Sequence, residues 1–535
     1  MKVDSLYNPY PSQRMTTYSK NGMVATSQPL AAEAGRDILK QGGNAVDAAI
    51  ATAACLTVVE PTSNGIGGDA FAIVWMKDKL YGINGSGPSP KSISIDAVKD
   101  LGYEEIPTYG FVPVTVPGVP ATWAALSDRF GKLSLREVLQ PAIEYARNGF
   151  AITPVLGRYW KRAYDIFSER LTSEEYVYWF ETFAKNGAPQ IGNVWKSEDH
   201  AHTLEEIGDT NAKSFYHGAL AEEIVAFSKK YNGFLTAEDL ASFQVEWVDP
   251  VAVHYRGYDV WEIPPNGQGI AALMALNIAK GFDFTEKETV DTYHKQIEAM
   301  KLAFADGFKH ITEEKSMHVA TEDLLNEAYA DARRKLIGEK ALQPEAEEPP
   351  RGGTVYLATA DGDGNMVSFI QSNYMGFGSG LVVPGTGIAL QNRGKNFSMD
   401  PNHVNKLAGG KKAFNTIIPG FLTRANEAVG PFGVMGGYMQ PQGHLQVVMN
   451  TVDFGLNPQT ALDAPRWQWM NDKTIMLEPG FPLHIAQALE RKGHVVKYAS
   501  DNGGFGRGQI IWRNPETGVL MGGTESRTDG SIAVF

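Results

Sequence analysis

The chain has 535 residues, with 48 Lys and Arg against 61 Asp and Glu and a formal net charge of −13. It lacks the cationic excess that a nucleic acid or an anionic membrane surface selects. Hydrophobic residues at 43% and charged residues at 20% are the proportions of a soluble globular protein.

The N-terminal stretch MKVDSLYNPYPSQRM contains no apolar core of a secretory leader. The longest small-apolar run, 48–59, is far short of a membrane span, so a cytoplasmic protein without membrane contact is expected. Residues 29–41 pattern as a helix closed by Gly42 and Gly43, and Asn44 caps a second helix over 45–59 that stops at Glu60-Pro61. Cys55, the sole cysteine, lies in that second helix, excludes an internal disulfide and reads as a small buried hydrophobe. Residues 64–69 (NGIGGD) form a glycine-rich turn into a strand over 70–75. Because it runs from helix into strand it is no dinucleotide fingerprint, and close backbone packing is expected there.

Helices are predicted within 114–125 and over 133–148, then a polar, aromatic and mainly helical stretch over 149–232. Trp160, Tyr176, Tyr178, Trp179 and Phe180 read as packing aromatics in preference to a carbohydrate surface. Strands over 251–263, a turn over 264–269 and a helix over 270–280 follow, then a longer helix whose apolar residues recur at three and four from Val290 to Ile311. His294, His310 and His318 show no ligand spacing, and neither a metal nor an organic cofactor is expected.

Residues 343–350 (QPEAEEPP) resist both helix and sheet. After Arg351, Gly352 and Gly353 comes Thr354, then β-prone 355–357, the turn sequence DGDGN at 361–365 and a second strand over 366–370. A threonine therefore heads a hairpin. Its hydroxyl needs a base, and its own α-amine can serve once the chain is cut between Gly353 and Thr354. An α-amine pKa of about 7.7–8.0 leaves a large unprotonated fraction near neutral pH. The same hydroxyl can make the cut by attacking the Gly353 carbonyl to give an ester that water opens. Thr354 is thus a candidate nucleophile; a flexible turn feeding an edge strand is the other reading of these residues. Strands and glycine turns alternate through Gln391, a polar loop covers 398–412, short helices are predicted over 458–464 and 486–492, and strands over 495–499, 508–512 and 518–522.

Three stretches carry a resemblance: TVYLATADGDGNMVSFIQSN from Thr354, GFGSGLVVPGTGIALQN from Gly376 and GVMGGYMQPQGHLQ from Gly433. Together with much of the first half of the chain they resemble the γ-glutamyltranspeptidase family of self-processing N-terminal-nucleophile hydrolases. Where the pattern alone supports α/β or α+β, the resemblance implies an α+β fold, an αββα four-layer sandwich built from two fragments. Those fragments would be 1–353 and 354–535, associated as one catalytic unit, with any further oligomer open.

By the same resemblance the cut falls between Gly353 and Thr354, the Ser372 hydroxyl activates Thr354, and the Gly436 and Gly437 N–H groups form the oxyanion hole. Asn373 and Tyr374 lie where a substrate α-amino end is contacted, and Asn415 and Thr416 where its α-carboxylate is bound. Ser86 stands where the family has a carboxylate-gripping arginine, and Arg393 and Asn396 stand where it has Glu and Asp for the α-ammonium. Both charged anchors of a glutamyl α-carbon are therefore altered. The 398–412 loop is shorter than the lid of some members. Two enzyme readings follow: a γ-glutamyl transferase or hydrolase acting on small amides or peptides of the glutathione type, and a glutaryl or cephalosporin-acylase-like amidohydrolase in which Arg393 binds a distal carboxylate. An uncleaved, non-catalytic binding protein is the third.

Overall fold

The computed structural model describes residues 13–344 and 353–535. Two seven-stranded sheets form the centre, and every pairing within them is antiparallel. The first runs in the order Thr17–Ser19, Leu520–Thr524, Arg507–Arg513, Glu427–Met435, Gly420–Arg424, Tyr258–Glu262 and Val251–Tyr255. The second runs Ser531–Val534, Gly22–Thr26, Gly353–Asp361, Met366–Tyr374, Asp69–Met76, Lys79–Asn84 and Glu246–Val248. Both sheets mix strands from before and after residue 353.

The period of two along a strand assigns each side chain to a layer. In Gly353–Asp361, Val355 and Leu357 point to a core shared with the helices Ala45–Val59 and Leu135–Asn148. Tyr356, Ala358 and Ala360 point to the seam between the two sheets. Met366–Tyr374 follows the same rule, with Val367 and Phe369 under the helices and Met366 and Ile370 in the seam. On the far side, Gly269–Ala279, Val290–His310 and Met439–Val452 cover the first sheet. The result is helix, sheet, sheet, helix, the α+β sandwich expected of the family. Strands covered on both faces are buried almost throughout, polar residues such as Ser368 and Gln371 included, so they lack the in–out alternation of a half-exposed sheet.

Local chemistry sets the boundaries. Asn44 and Asp47 close a capping box at the head of Ala45–Val59, a helix buried at every position because it is packed on all sides. Cys55 is buried there, and burial pushes its thiol up. The DGDGN turn is held by Asp361, which accepts from the Asp363 and Asn365 N–H groups and also from the Ala45 N–H, tying hairpin to helix. Among the described residues no helix is long and apolar enough to cross a membrane.

Two expectations change. The stretch 375–392 holds no regular strand, only isolated bridges between Val382 and Ala389 and between Leu390 and Gly67, because five glycines there take positive φ and keep turning the chain. Met439–Val452 is an unforeseen helix, hidden by Pro441 and Gly443 and by burial on most sides, which erases the amphipathic period.

The seam leaves little room at Gly433, where an added Cβ would lie 2.5 Å from the Tyr356 ring. We expect Gly433→Ala to force the sheets apart and cost about 1–3 kcal/mol, read as a lower urea midpoint with an unchanged slope.

Candidate active site

Thr354 is 1% exposed and heads the seam-facing side of its strand. Its neighbour Gly353 pairs with Tyr374, with a register shift between Gly353 and Val355. In this uncut chain the Thr354 hydroxyl donates to Ser372 Oγ at 3.1 Å, and Ser372 Oγ donates to the Gly353 carbonyl at 2.6 Å. The Tyr374 N–H donates to the same Ser372 Oγ at 2.7 Å. Ser372 therefore gives one hydrogen bond and accepts two, the full capacity of a hydroxyl, so its orientation is fixed. Three of the predicted residues, Gly353, Thr354 and Ser372, form one hydrogen-bonded chain running from a hydroxyl to a peptide carbonyl.

Gly436 and Gly437 follow the strand Glu427–Met435, with φ of 137° and 59°, conformations an L side chain rarely adopts. Among the described residues neither of their N–H groups has a backbone acceptor outside regular strands and helices. The Gly437 carbonyl accepts from Gln268, which also donates to the Thr416 carbonyl and so fixes the turn. Gly353 and Gly436 line the same cavity, of about 630 Å³, so the predicted scissile bond and one predicted oxyanion donor face a common space.

The remaining predicted residues lie elsewhere. Arg393, 1% exposed, donates from Nε and Nη2 to the two Asp69 carboxylate oxygens, each at 3.0 Å, and from Nη1 to Thr416 Oγ1 at 2.8 Å. Asn415 donates to the same Asp69 at 2.7 Å. The guanidinium that could have bound a substrate carboxylate is thus a buried strut, its bidentate fork filled by Asp69. Ser86 is hydrogen-bonded to Asn84 and Asn266, and Asn396 donates to the Phe414 carbonyl. None of these four lines the cavity. Tyr374 is fully buried with φ 75°, and its ring carries the Arg393 guanidinium 4.6 Å away. Asn373 is buried with neither end of its amide paired, pressed against the NGIGGD turn. A Cβ on Gly68 would meet the Ser372 carbonyl at 2.4 Å, so this turn's glycines serve close backbone approach, as expected.

The residues of the cavity wall were not foreseen. Helix Pro154–Arg170 contributes Arg158, Tyr159 and Arg162, and the 501–507 loop contributes Asp501, Phe505 and Arg507. Buried Arg466 holds that loop through the Phe505 and Gly506 carbonyls while paired to Glu525 at 2.9 Å. Burial would raise the Glu525 carboxyl, but Arg466 and Arg527 bring it down to about 2. His294 also behaves differently from its sequence reading, meeting His494 at 2.9 Å beside Glu298 in a buried group of potential metal ligands. The Lys301 ammonium, 2.8 Å from Glu298, already supplies the positive charge there. His494 lies 200 residues away, beyond any spacing rule.

A family model described as Gamma-glutamyltranspeptidase matches residues 31–535. The "Glutathione hydrolase-like YwrD proenzyme" of Bacillus subtilis is 36% identical over 522 residues, 95% of this chain and 97% of that one. The "Oxamate amidohydrolase proenzyme" of Klebsiella pneumoniae is 31% identical, covering 97% of this chain and 99% of that one. Among solved structures, a cephalosporin acylase from Bacillus halodurans is 63% identical with a TM-score of 0.98, covering 100% of this chain and 99% of that one. The chain belongs to the γ-glutamyltranspeptidase family, enzymes made as proenzymes that transfer or hydrolyse acyl groups held in amides.

Proposed function

We propose that the chain cuts itself between Gly353 and Thr354 and then acts as an amidohydrolase of the acylase type, with Thr354 as nucleophile. The observation that carries this is the hydrogen-bonded path from the Thr354 hydroxyl through Ser372 Oγ to the Gly353 carbonyl oxygen. In self-cleavage, Thr354 Oγ1 attacks the Gly353 carbonyl carbon. Its proton passes to Ser372, whose own proton passes to the Gly353 oxygen as the C=O bond opens. Collapse moves the proton from the Gly353 oxygen to the Thr354 nitrogen, re-forms C=O and breaks the C–N bond, leaving an ester on Oγ1 and a free α-amine; water then opens the ester.

Turnover reuses the parts. The freed α-amine takes the Thr354 hydroxyl proton as Oγ1 adds to a substrate amide, and the developing oxyanion is met by the Gly436 and Gly437 N–H groups. The amine product leaves with a proton, and water releases the acyl group. Fragments 1–353 and 354–535 remain interleaved strand by strand.

The acyl donor is inferred from what is missing. Arg393 and Asp69 satisfy each other, and among the described residues no free cation lies beside Asn415 and Thr416 to grip an α-carboxylate. A donor held by its glutamyl α-carbon is therefore disfavoured, and a dicarboxylyl amide of the glutaryl kind is preferred, in keeping with the acylase similarity. The second reading, γ-glutamyl hydrolysis, is favoured by the glutathione hydrolase-like relative.

Intact mass of purified wild type should show two fragments split at Thr354, and Thr354→Ala should show one whole chain with no turnover; either activity surviving in that variant overturns the reading. Ser372→Ala should slow self-cleavage by about 10²–10⁴-fold, followed by mass against time, with Ser372→Thr restoring it. The processed enzyme should cleave a glutaryl anilide in preference to a γ-glutamyl anilide; the reverse order would return the substrate to the second reading. Asp69→Ala strands a buried guanidinium and should cost about 3–5 kcal/mol in chemical denaturation, far more than an exposed ligand-binding group would.

A further inference from the structure

The ionisable lining of the cavity, its tyrosines aside, has the opposite sign to the chain. Three guanidiniums, Arg158, Arg162 and Arg507, share it with one carboxylate, Asp501, although the protein carries a net charge of −13. Two of the three are committed. Arg507 is buried, paired to Glu60 at 3.2 Å and seated 4.5 Å over the Tyr159 ring. Arg158 is paired to Asp501 at 2.5 Å, and Asp501 also accepts the Gly503 N–H at 2.8 Å. Arg162 makes no hydrogen bond or ion pair among the described residues. It lies one helical turn beyond Arg158, so the two side chains are neighbours on the cavity face of Pro154–Arg170 and can converge on one anion.

The positions within the cavity give this charge a direction. Gly353 and Gly436, at the proposed reacting end, are partly covered, whereas Arg158 and Arg162 are exposed. Between them the wall is aromatic and sulfur-rich, with Tyr159, Phe505, Met470 and Met476, a surface suited to a planar apolar body. A guanidinium fork recognises a carboxylate bidentately, and a partly enclosed low-dielectric wall strengthens the contact over bulk water. Asp501 holds Arg158 and the Gly503 N–H and also feels the Arg162 charge, so two guanidiniums share one negative charge at this wall.

We propose that the cavity mouth is an anion subsite in which Arg162, assisted by Arg158, binds a carboxylate on the amine portion of the substrate. The substrate class is then an acyl amide whose leaving amine has an apolar ring and a carboxylate on its far side. This rests on the amidohydrolase reading above and adds the side of the substrate that the altered α-carbon residues leave unspecified.

The test compares two amides sharing one acyl group, those of 4-aminobenzoate and of neutral 4-aminobenzamide. Wild type should favour the benzoate by about ten- to a hundredfold in kcat/KM, the range for a charge-assisted hydrogen bond, and 1 M NaCl should compress the ratio. Arg162→Gln should lower that ratio at least tenfold. Asp501→Asn should raise it, because it releases Arg158 while keeping an acceptor for the Gly503 N–H. A wild-type ratio near one, or a ratio unmoved by Arg162→Gln, overturns the subsite. Calorimetric binding of 4-acetamidobenzoate against 4-acetamidobenzamide to the Thr354→Ala chain, with and without Arg162→Gln, decides the same point without turnover. Selective binding there with no hydrolysis by wild type would sink the amidohydrolase reading and leave the subsite standing; equal binding with active hydrolysis would do the reverse.

Discussion

The structure depends on the antiparallel pairing of Gly353–Asp361 with Met366–Tyr374 inside a sheet covered on both faces. Once the DGDGN turn fixes that register, the period of two decides everything along the pair. Thr354 and Ser372 must share the seam-facing side, and the Gly353 carbonyl must come within reach of the Ser372 hydroxyl. A slip of one residue would turn Thr354 toward the helices and bury Val355 and Leu357 against the wrong layer. Register is therefore enforced by core apolar area, and the chemistry inherits its precision from packing.

Electrostatics divide the molecule into two regimes. In the interior, charges are matched in closed groups: Arg393 with Asp69, Arg466 and Arg527 with Glu525 and Glu478, and Lys301 with Glu298. Arg466 holds the Phe505 and Gly506 carbonyls beside the cavity, and Lys301 and Glu298 hold the Leu342 backbone. Such pairs add little net stability, because desolvation offsets attraction, but removing one partner is costly. At the cavity mouth, by contrast, the matching is incomplete, and it is incomplete in one sign only.

Features written in contiguous residues were legible in the sequence. The Asn44 cap, the DGDGN turn and the glycine-rich 64–69 turn each follow from local rules, and all three stand where expected. Thr354 was one of two readings of its own residues, and Ser372 and Gly436 became candidates only through the family resemblance, since a Gly-Gly pair is commonplace. What stayed hidden depends on distant partners. Arg393 looked like a ligand because Asp69, 324 residues earlier, could not be seen beside it. Arg158 and Arg162 carried no signal in the sequence, because the segment facing them across the cavity is supplied by residues 501–507. The helix Met439–Val452 was lost for a different reason: full burial removes the polar face that reveals a helical period.

One line of contacts joins Arg393, one of the altered anchor positions, to Ser372. Asp69 lies directly across the strand pair from Ser372 and clamps Arg393. Arg393 stacks on the Tyr374 ring, and Tyr374, in a left-handed backbone conformation, turns its N–H onto Ser372 Oγ. A bulky residue in that conformation costs about 1–3 kcal/mol, so it persists only because the ring and the N–H are both held. The Asp69–Arg393 ion pair thus fills the guanidinium's donors and, through the Tyr374 ring and N–H, supports Ser372 between the Thr354 hydroxyl and the Gly353 carbonyl. An ion pair that contributes little net stability is retained where its geometry, through Tyr374, sets the direction of one hydroxyl.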